Sequence, residues 1–322
     1  MGRNAVSVLL LLAGSGAAWG YVRNATPSGT PLQWTGTNCI PVVINSAGSD
    51  DVTDGSAVQA VRAALSAWRE ATRHCSYIDF DVTERAGATA DFSAKGPNET
   101  VIVWKESGWS HAKTAYGVTT VYFVDKPGDP RDGAIVDADI ELNGEQYQFS
   151  TDGSQQRLDV QNIVTHYVGK LLGLGSTCYQ GTGTRPKDHT GADVPDCGTV
   201  QGSTDPAHVA LREATMWPFT TPGEISKRTL EADDIAGICA VYPVADDPGC
   251  HPAGGTDGGT DGRVDGPVPS GDAAGVSTRD GCGCHVGARP PRAWPGGSLV
   301  GLILLFLVRR GRRRYERERP SP

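Results

Sequence analysis

Three things are scarce in this chain of 322 residues. Basic charge is the first: 29 Lys and Arg stand against 37 Asp and Glu, for a net charge of −8. Arg309, Arg310, Arg312, Arg313 and Arg314 crowd into the C-terminal end, so the rest of the chain is clearly acidic and unsuited to nucleic acid. Second, no Cys-x-x-Cys occurs, which argues against a zinc ribbon. Third, long apolar runs are missing. Val6 to Ala13 is too short for the roughly 20 residues that a spanning helix needs, and the uncharged stretch from Ala293 to Val308 is marginal.

What is present sorts the chain into four parts. Residues 1–20 read as an export signal: Arg3 supplies a positive start, Val6–Ala13 an apolar stretch, and Ala18-Trp19-Gly20 a small-x-small cleavage site. Residues 21–243 carry the periodic signals of a folded domain. From 244 to 281 the chain is Gly-, Asp- and Pro-rich with almost no large apolar side chains; it cannot offset its ordering entropy and reads as a flexible linker. Residues 282–322 hold Cys282 and Cys284, the short hydrophobic helix at 293–308 and the arginine-rich end. Export agrees with six cysteines in or next to the domain, and neighbour pairing (Cys39–Cys75, Cys178–Cys197, Cys239–Cys250) is the expectation.

Within the domain, Val58, Val61, Leu65 and Trp68 recur at helical spacing behind Ser56, which reads as the cap. Strand-like runs follow at 41–44, 77–82, 101–104, 118–124 and 135–142. Asn143-Gly144 then reads as a hairpin turn into 146–149. A second helix starts at the cap Asp159, has an apolar face of Val160, Ile163, Val164, Tyr167, Val168, Leu171 and Leu172, and ends at Gly173 and Gly175. A long loop runs from 177 to about 214, and a third helix spans 229–241. The class is α/β (α+β) around a single sheet.

The second helix poses the functional question. His-Glu-x-x-His on a helix sets two imidazoles on one face for a metal, with the Glu as general base. In metzincins a glycine turn and a third His follow, and a methionine turn lies beneath. Gly173 stands at the glycine position, and Met216 in "ATMWP" stands about forty residues past Ser176. With "LSAWREATRHCSYIDF" (65–80), "GAIVDADIELNG" (133–144), "VTHYVGKLLGLG" (164–175) and "REATMWP…KRTLEADDIAGICAVYP" (212–243), the chain resembles a matrixin-type metzincin peptidase over most of residues 30–243. That resemblance implies a zincin fold: one twisted, mostly parallel sheet with an antiparallel edge strand and three main helices. The C-terminal part resembles a MYXO-CTERM sorting tail of myxobacteria, which implies processing near the cysteine and display at the cell surface, with release or an ordinary membrane anchor as the alternatives.

The active-site positions depart from the family. His166 keeps the first zinc-ligand position; Tyr167 replaces the catalytic Glu, and Lys170 and Ser176 replace the second and third His. A catalytic zinc takes three protein ligands and a water, and a base must accept the water's proton. An ammonium has no lone pair for a metal, and tyrosine, with a pKa of about 10, is a poor base at neutral pH. The expectation is a non-catalytic domain without zinc, Lys170 supplying the positive charge in its place and acidifying the His166 imidazolium. The alternative is an active zinc endopeptidase with a non-standard shell, for which His189 and His208 are the substitute ligands; Asp188, Asp193, Asp196 and His111 read as solvated loop residues.

Asp137, Asp139 and Glu141 share one face of a strand; this reads as a solvated face, with a calcium site as the alternative. Trp104, Trp217 and Tyr242 read as core. The partner expected is a polypeptide or a cell-surface protein, bound by strand addition at the antiparallel edge, with the membrane reached only through the tail. A purely structural envelope role is the third reading.

Overall fold

In a computed structural model the described residues are 20–93, 98–249 and 276–280. The stretch read as an export signal, the hydrophobic helix expected at 293–308 and the arginine-rich end lie outside them. Among the described residues no helix is long and apolar enough to cross a membrane.

The fold is α/β with a mostly parallel central sheet. The strands are β1 (Gln33–Trp34), β2 (Cys39–Asn45), β3 (Asp79–Arg85), β4 (Thr100–Trp104), β5 (Gly117–Val124) and β6 (Ala134–Leu142), joined by β9 (Val276–Asp280). Their order is β3-β2-β4-β6-β5-β9, with β1 also on β6. The pairs β2–β3, β2–β4, β4–β6 and β1–β6 are parallel. β5 runs antiparallel to β6, with a register irregularity at Tyr122/Phe123. The expected run 244–281 therefore contains a strand, β9, and a short 3-10 turn at Val244–Asp246.

One sheet face is covered by two helices, α1 (Ser56–Thr72) and α2 (Val160–Leu171). Val61, Leu65 and Trp68 of α1 join Ile40, Ile44, Ile102, Ile140 and Val164 in the main core. A fully buried side chain of this kind contributes about 2 kcal/mol. Trp104, Trp217 and Tyr242 are buried as expected.

Several local expectations are corrected. Ser56 is the first helical residue rather than the cap: Gly55 takes that place at φ 81°, and the Ser56 hydroxyl meets Thr151. Asn143-Gly144 makes no hairpin. Such a turn needs positive φ at the glycine, which Gly144 does not adopt, and the buried Asn143 amide donates to the Ala115 carbonyl instead. Beyond it, β7 (Phe149–Ser150) pairs in parallel with β8 (Leu158–Asp159) as a separate small sheet.

The stretch 177–214 is not one loop. It contains α3 (Cys197–Gln201), capped by Asp196, and α4 (Pro206–Glu213), capped by Asp205 with proline in the first turn. The last helix, α5, covers Ala232–Val241, starting later than expected because Glu231 and Asp234 form a capping box. Among the described residues the helices number five: the three expected, α1, α2 and α5, together with α3 and α4.

Cys178 pairs with Cys197 as expected, but Cys75 pairs with Cys239, so the neighbour pairs Cys39–Cys75 and Cys239–Cys250 do not form. The Cys75–Cys239 bond ties the end of α1 to α5 across a sequence separation of 164, a contact that no local spacing announces.

Candidate functional site

The site is built on α2. Asp159 caps its start by accepting from the Asn162 amide, and Arg228 holds the same carboxylate at 2.9 Å. Its end is sealed by side chains from afar. Carbonyls in the last turn of a helix lack internal partners; here Trp34 Nε1 donates to Leu171 O at 3.0 Å and the Tyr242 hydroxyl to Leu172 O at 2.8 Å. Gly173 leaves the helix at φ 89°, where a Cβ would stand 2.6 Å from the Leu32 carbonyl. Gly175 is not a left-handed stop; it is small because Val22 packs on it.

His166 is buried, and its Nδ1 lies 2.7 Å from the Thr215 carbonyl. A carbonyl only accepts, so Nδ1 carries the proton and Nε2 keeps a bare lone pair, for which no partner is found. Burial first, and the Lys170 charge second, hold the imidazole well below its ordinary pKa, so the ring is neutral.

The turn that accepts from His166 is itself pinned. Asp234 takes the backbone N–H groups of Thr215 at 2.9 Å, Met216 at 3.2 Å and Glu231 at 3.1 Å. Met216 then lies directly against α2 at Gly169: a Cβ there would come 2.2 Å from Met216 Sδ and 2.8 Å from Trp68 Cζ2.

The three substituted positions each have a settled partner. Tyr167 is buried, and its hydroxyl donates to the Gly117 carbonyl at the start of β5, 2.8 Å away. Gly117 is required there, since a Cβ would stand 2.8 Å from both Tyr167 Cε2 and the Glu141 carbonyl. Thr119 completes the clasp by donating to the Tyr167 carbonyl at 3.2 Å. Lys170 is buried, and its ammonium donates to Ser176 Oγ at 2.7 Å. So Lys170 and Ser176 are joined to each other, and Tyr167 is joined to β5.

The two substitute ligands lie outside α2, and only His189 has a ring partner. His189 is exposed and stacks on Tyr21, with ring centroids 4.3 Å apart. His208 is half-buried on α4. Asp188 and Asp196 accept from nearby backbone N–H groups, and Asp193 pairs with Lys187. Among the described residues no group of three or more His, Cys, Asp or Glu is placed to hold a metal. A zinc ion fits the His166 lone pair but not the ammonium and hydroxyls at the other positions.

The acidic face of β6 differs from expectation. Asp137 and Asp139 are buried rather than solvated. Phe92 stacks on Tyr122, the cross-strand partner of Asp137, and Asp139 accepts from the Asp91 and Val101 N–H groups. Burial pushes Asp137 up to about 7 and, with the Asp137 charge beside it, Asp139 to about 8. Glu141 alone is half-buried, and it meets His111 at 2.8 Å and Lys105 at 3.6 Å. His111 is thus a paired side chain rather than a free loop residue.

What sequence reasoning missed is β9. Its residues lie antiparallel along β5, from Thr120 opposite Asp280 to Val124 opposite Val276. The available signal was the alternation of Val276 and Thr278 inside an otherwise strand-poor stretch. No family model matches this chain, and no curated protein matches it.

Proposed function

We propose that this is an exported, surface-attached domain of matrixin-like fold that has no peptidase chemistry and acts by binding polypeptide along β5. The observation that carries the binding half is the outer edge of β5: it accepts an extended segment as a five-residue antiparallel ladder. Strand addition of this kind draws its affinity from main-chain hydrogen bonds and so needs no catalytic group. The non-catalytic half is supported by the Lys170–Ser176 hydrogen bond and by the Tyr167 hydroxyl spent on Gly117 O, which fill the ligand and base positions with groups unfit for either task. The matrixin-like assignment is supported by the motifs at 65–80, 133–144, 164–175 and 212–243 and by α2 lying over a parallel sheet with an antiparallel β5.

The alternative, a zinc endopeptidase with a non-standard shell, has one observation in its favour. The His166 tautomer, with Nδ1–H on a carbonyl and Nε2 bare, is the arrangement of a metal-binding histidine. One experiment separates the two. The native chain is assayed for zinc content and casein cleavage beside a variant carrying Tyr167→Glu, Lys170→His and Ser176→His. The native chain is expected to cleave nothing and to bind unfolded casein reversibly, with zinc and chelator-sensitive cleavage appearing in the variant. Stoichiometric zinc and cleavage in the native chain would overturn the proposal.

A further inference from the structure

The segment on either side of β9 is poor in strand-forming residues: Ala273-Ala274-Gly275 precedes it and Gly281-Cys282-Gly283-Cys284 follows. Val276-Ser-Thr-Arg-Asp280 is a small island in which two β-branched residues recur at the period of a strand. It pairs with Thr120–Val124 and leaves Gly117–Thr119, the part of β5 bonded to Tyr167, outside the ladder.

We infer that Val276–Asp280 is a tethered ligand of the β5 edge, so that the polypeptide-binding surface is filled in cis and an incoming chain must displace this strand. The inference rests on the polypeptide-binding reading and adds its regulation. Three physical points support it. The ladder is short, so the gain from its main-chain bonds only narrowly exceeds the entropy of ordering five residues. Such a strand is exchangeable by nature. The tether keeps it nearby at an effective concentration of about millimolar, so it competes against a free ligand without tight binding of its own. An edge left bare would also present unpaired N–H and C=O groups, a hazard that a self-supplied strand covers. The specificity that follows is for extended segments with β-branched residues at alternate positions, entering antiparallel to β5.

The population of the closed form sets the size of the effect. If the strand is docked nine-tenths of the time, the apparent affinity for an external segment falls about tenfold. The test uses the full chain and a fluorescein-labelled peptide of residues 273–281. A variant with Ser277→Pro and Thr278→Pro breaks the ladder whichever way the strand faces, because successive N–H groups point alternately toward and away from β5 and proline has none. An unchanged thermal melt verifies the fold.

The variant is expected to bind the labelled peptide about tenfold more tightly than the native chain. Amide exchange at Thr120–Val124 is expected to quicken in the variant and to slow again on adding the peptide. Equal peptide affinity with unchanged exchange at Thr120–Val124 overturns the inference. So does protection of those amides that grows with protein concentration, which would mean docking between copies. The two readings fail separately. If unfolded casein binds native and variant chains alike, polypeptide binding stands and occlusion falls. If the variant takes up the 273–281 peptide but no casein, the docked strand stands and the general polypeptide reading falls.

Discussion

Helix α2 and strand β5 are clasped through Tyr167, whose hydroxyl donates to the Gly117 carbonyl and whose carbonyl accepts from Thr119, yet they work through different kinds of group. On α2 and just past it the side chains carry whatever chemistry there is, and Tyr167, Lys170 and Ser176 each spend theirs on a partner within the fold. On β5 the groups that β9 pairs with are backbone N–H and C=O, which substitution barely touches. Chemistry carried by side chains disappears with a few codons, whereas recognition carried by the main chain persists as long as the sheet does. Around α2, Asp234 pins the turn that packs Met216 against Gly169.

That contrast is open to direct attack. The harshest disturbance is Gly169→Ala, which forces a methyl against Met216 Sδ and Trp68; denaturant unfolding should show a loss of about 3 kcal/mol. A loss below about 1 kcal/mol would mean that the methionine turn is not packed against α2 as described.

Next in size is the acidic face of β6. Asp137 and Asp139 titrate at about 7 and about 8 when folded, above their unfolded value of about 4. The folded state therefore holds protons that the unfolded state has lost, and the contribution of this pair is most favourable below about pH 4 and falls as the pH rises toward 8. The charges of Asp91 and Glu99 near Asp137, and of Glu141 near Asp139, deepen the trend. Asp137→Asn keeps the bond from the Ala138 N–H and removes the charge. It should raise stability by about 2 kcal/mol at pH 8 and leave it unchanged at pH 4. A gain at both pH values would rule out titration as its cause.

His166 works in the other direction. Its folded imidazole resists protonation, so the unfolded chain takes up a proton below about pH 6.5 that the folded one refuses. Stability from this group is full above that value and falls with acid by up to about 1.4 kcal/mol per pH unit. His166→Gln should remove that acid-side slope in thermal melts at pH 5 to 6.5, and an unaltered slope would assign it to another group.

The mildest change is Tyr167→Phe. It deletes one buried hydrogen bond and should cost about 1 kcal/mol while leaving polypeptide affinity within about twofold. A large loss of binding with intact folding would make the helix, not the strand, the recognition element.

The degree to which all this was legible differs by element. Asp159 as cap, Gly173 as the left-handed stop and the apolar face of α2 follow from local rules, and they stand in the structure. The alternation of Asp137, Asp139 and Glu141 correctly put them on one face, but not that Asp91 and Phe92 would lie over it. Asn143-Gly144 misled because a two-residue signal was overridden by a buried amide bonded to Ala115. Val276 and Thr278 carried too weak a signal, since a strand of five residues is only as real as the edge it joins.

By itself, the sequence determined which groups stand on α2 and just past it: a histidine whose ring can offer a lone pair, a tyrosine, a lysine and, after the helix, a serine. Caps, periodicity and missing residue types act over a few positions and can be read directly. Only the tertiary structure decided what those groups touch: His166 on Thr215, Tyr167 on Gly117, Lys170 on Ser176 around the helix end, and β9 on β5. Burial, protonation and strand pairing are settled by partners from distant parts of the chain, and in a packed interior those partners determine whether a side chain is a reagent or a brace.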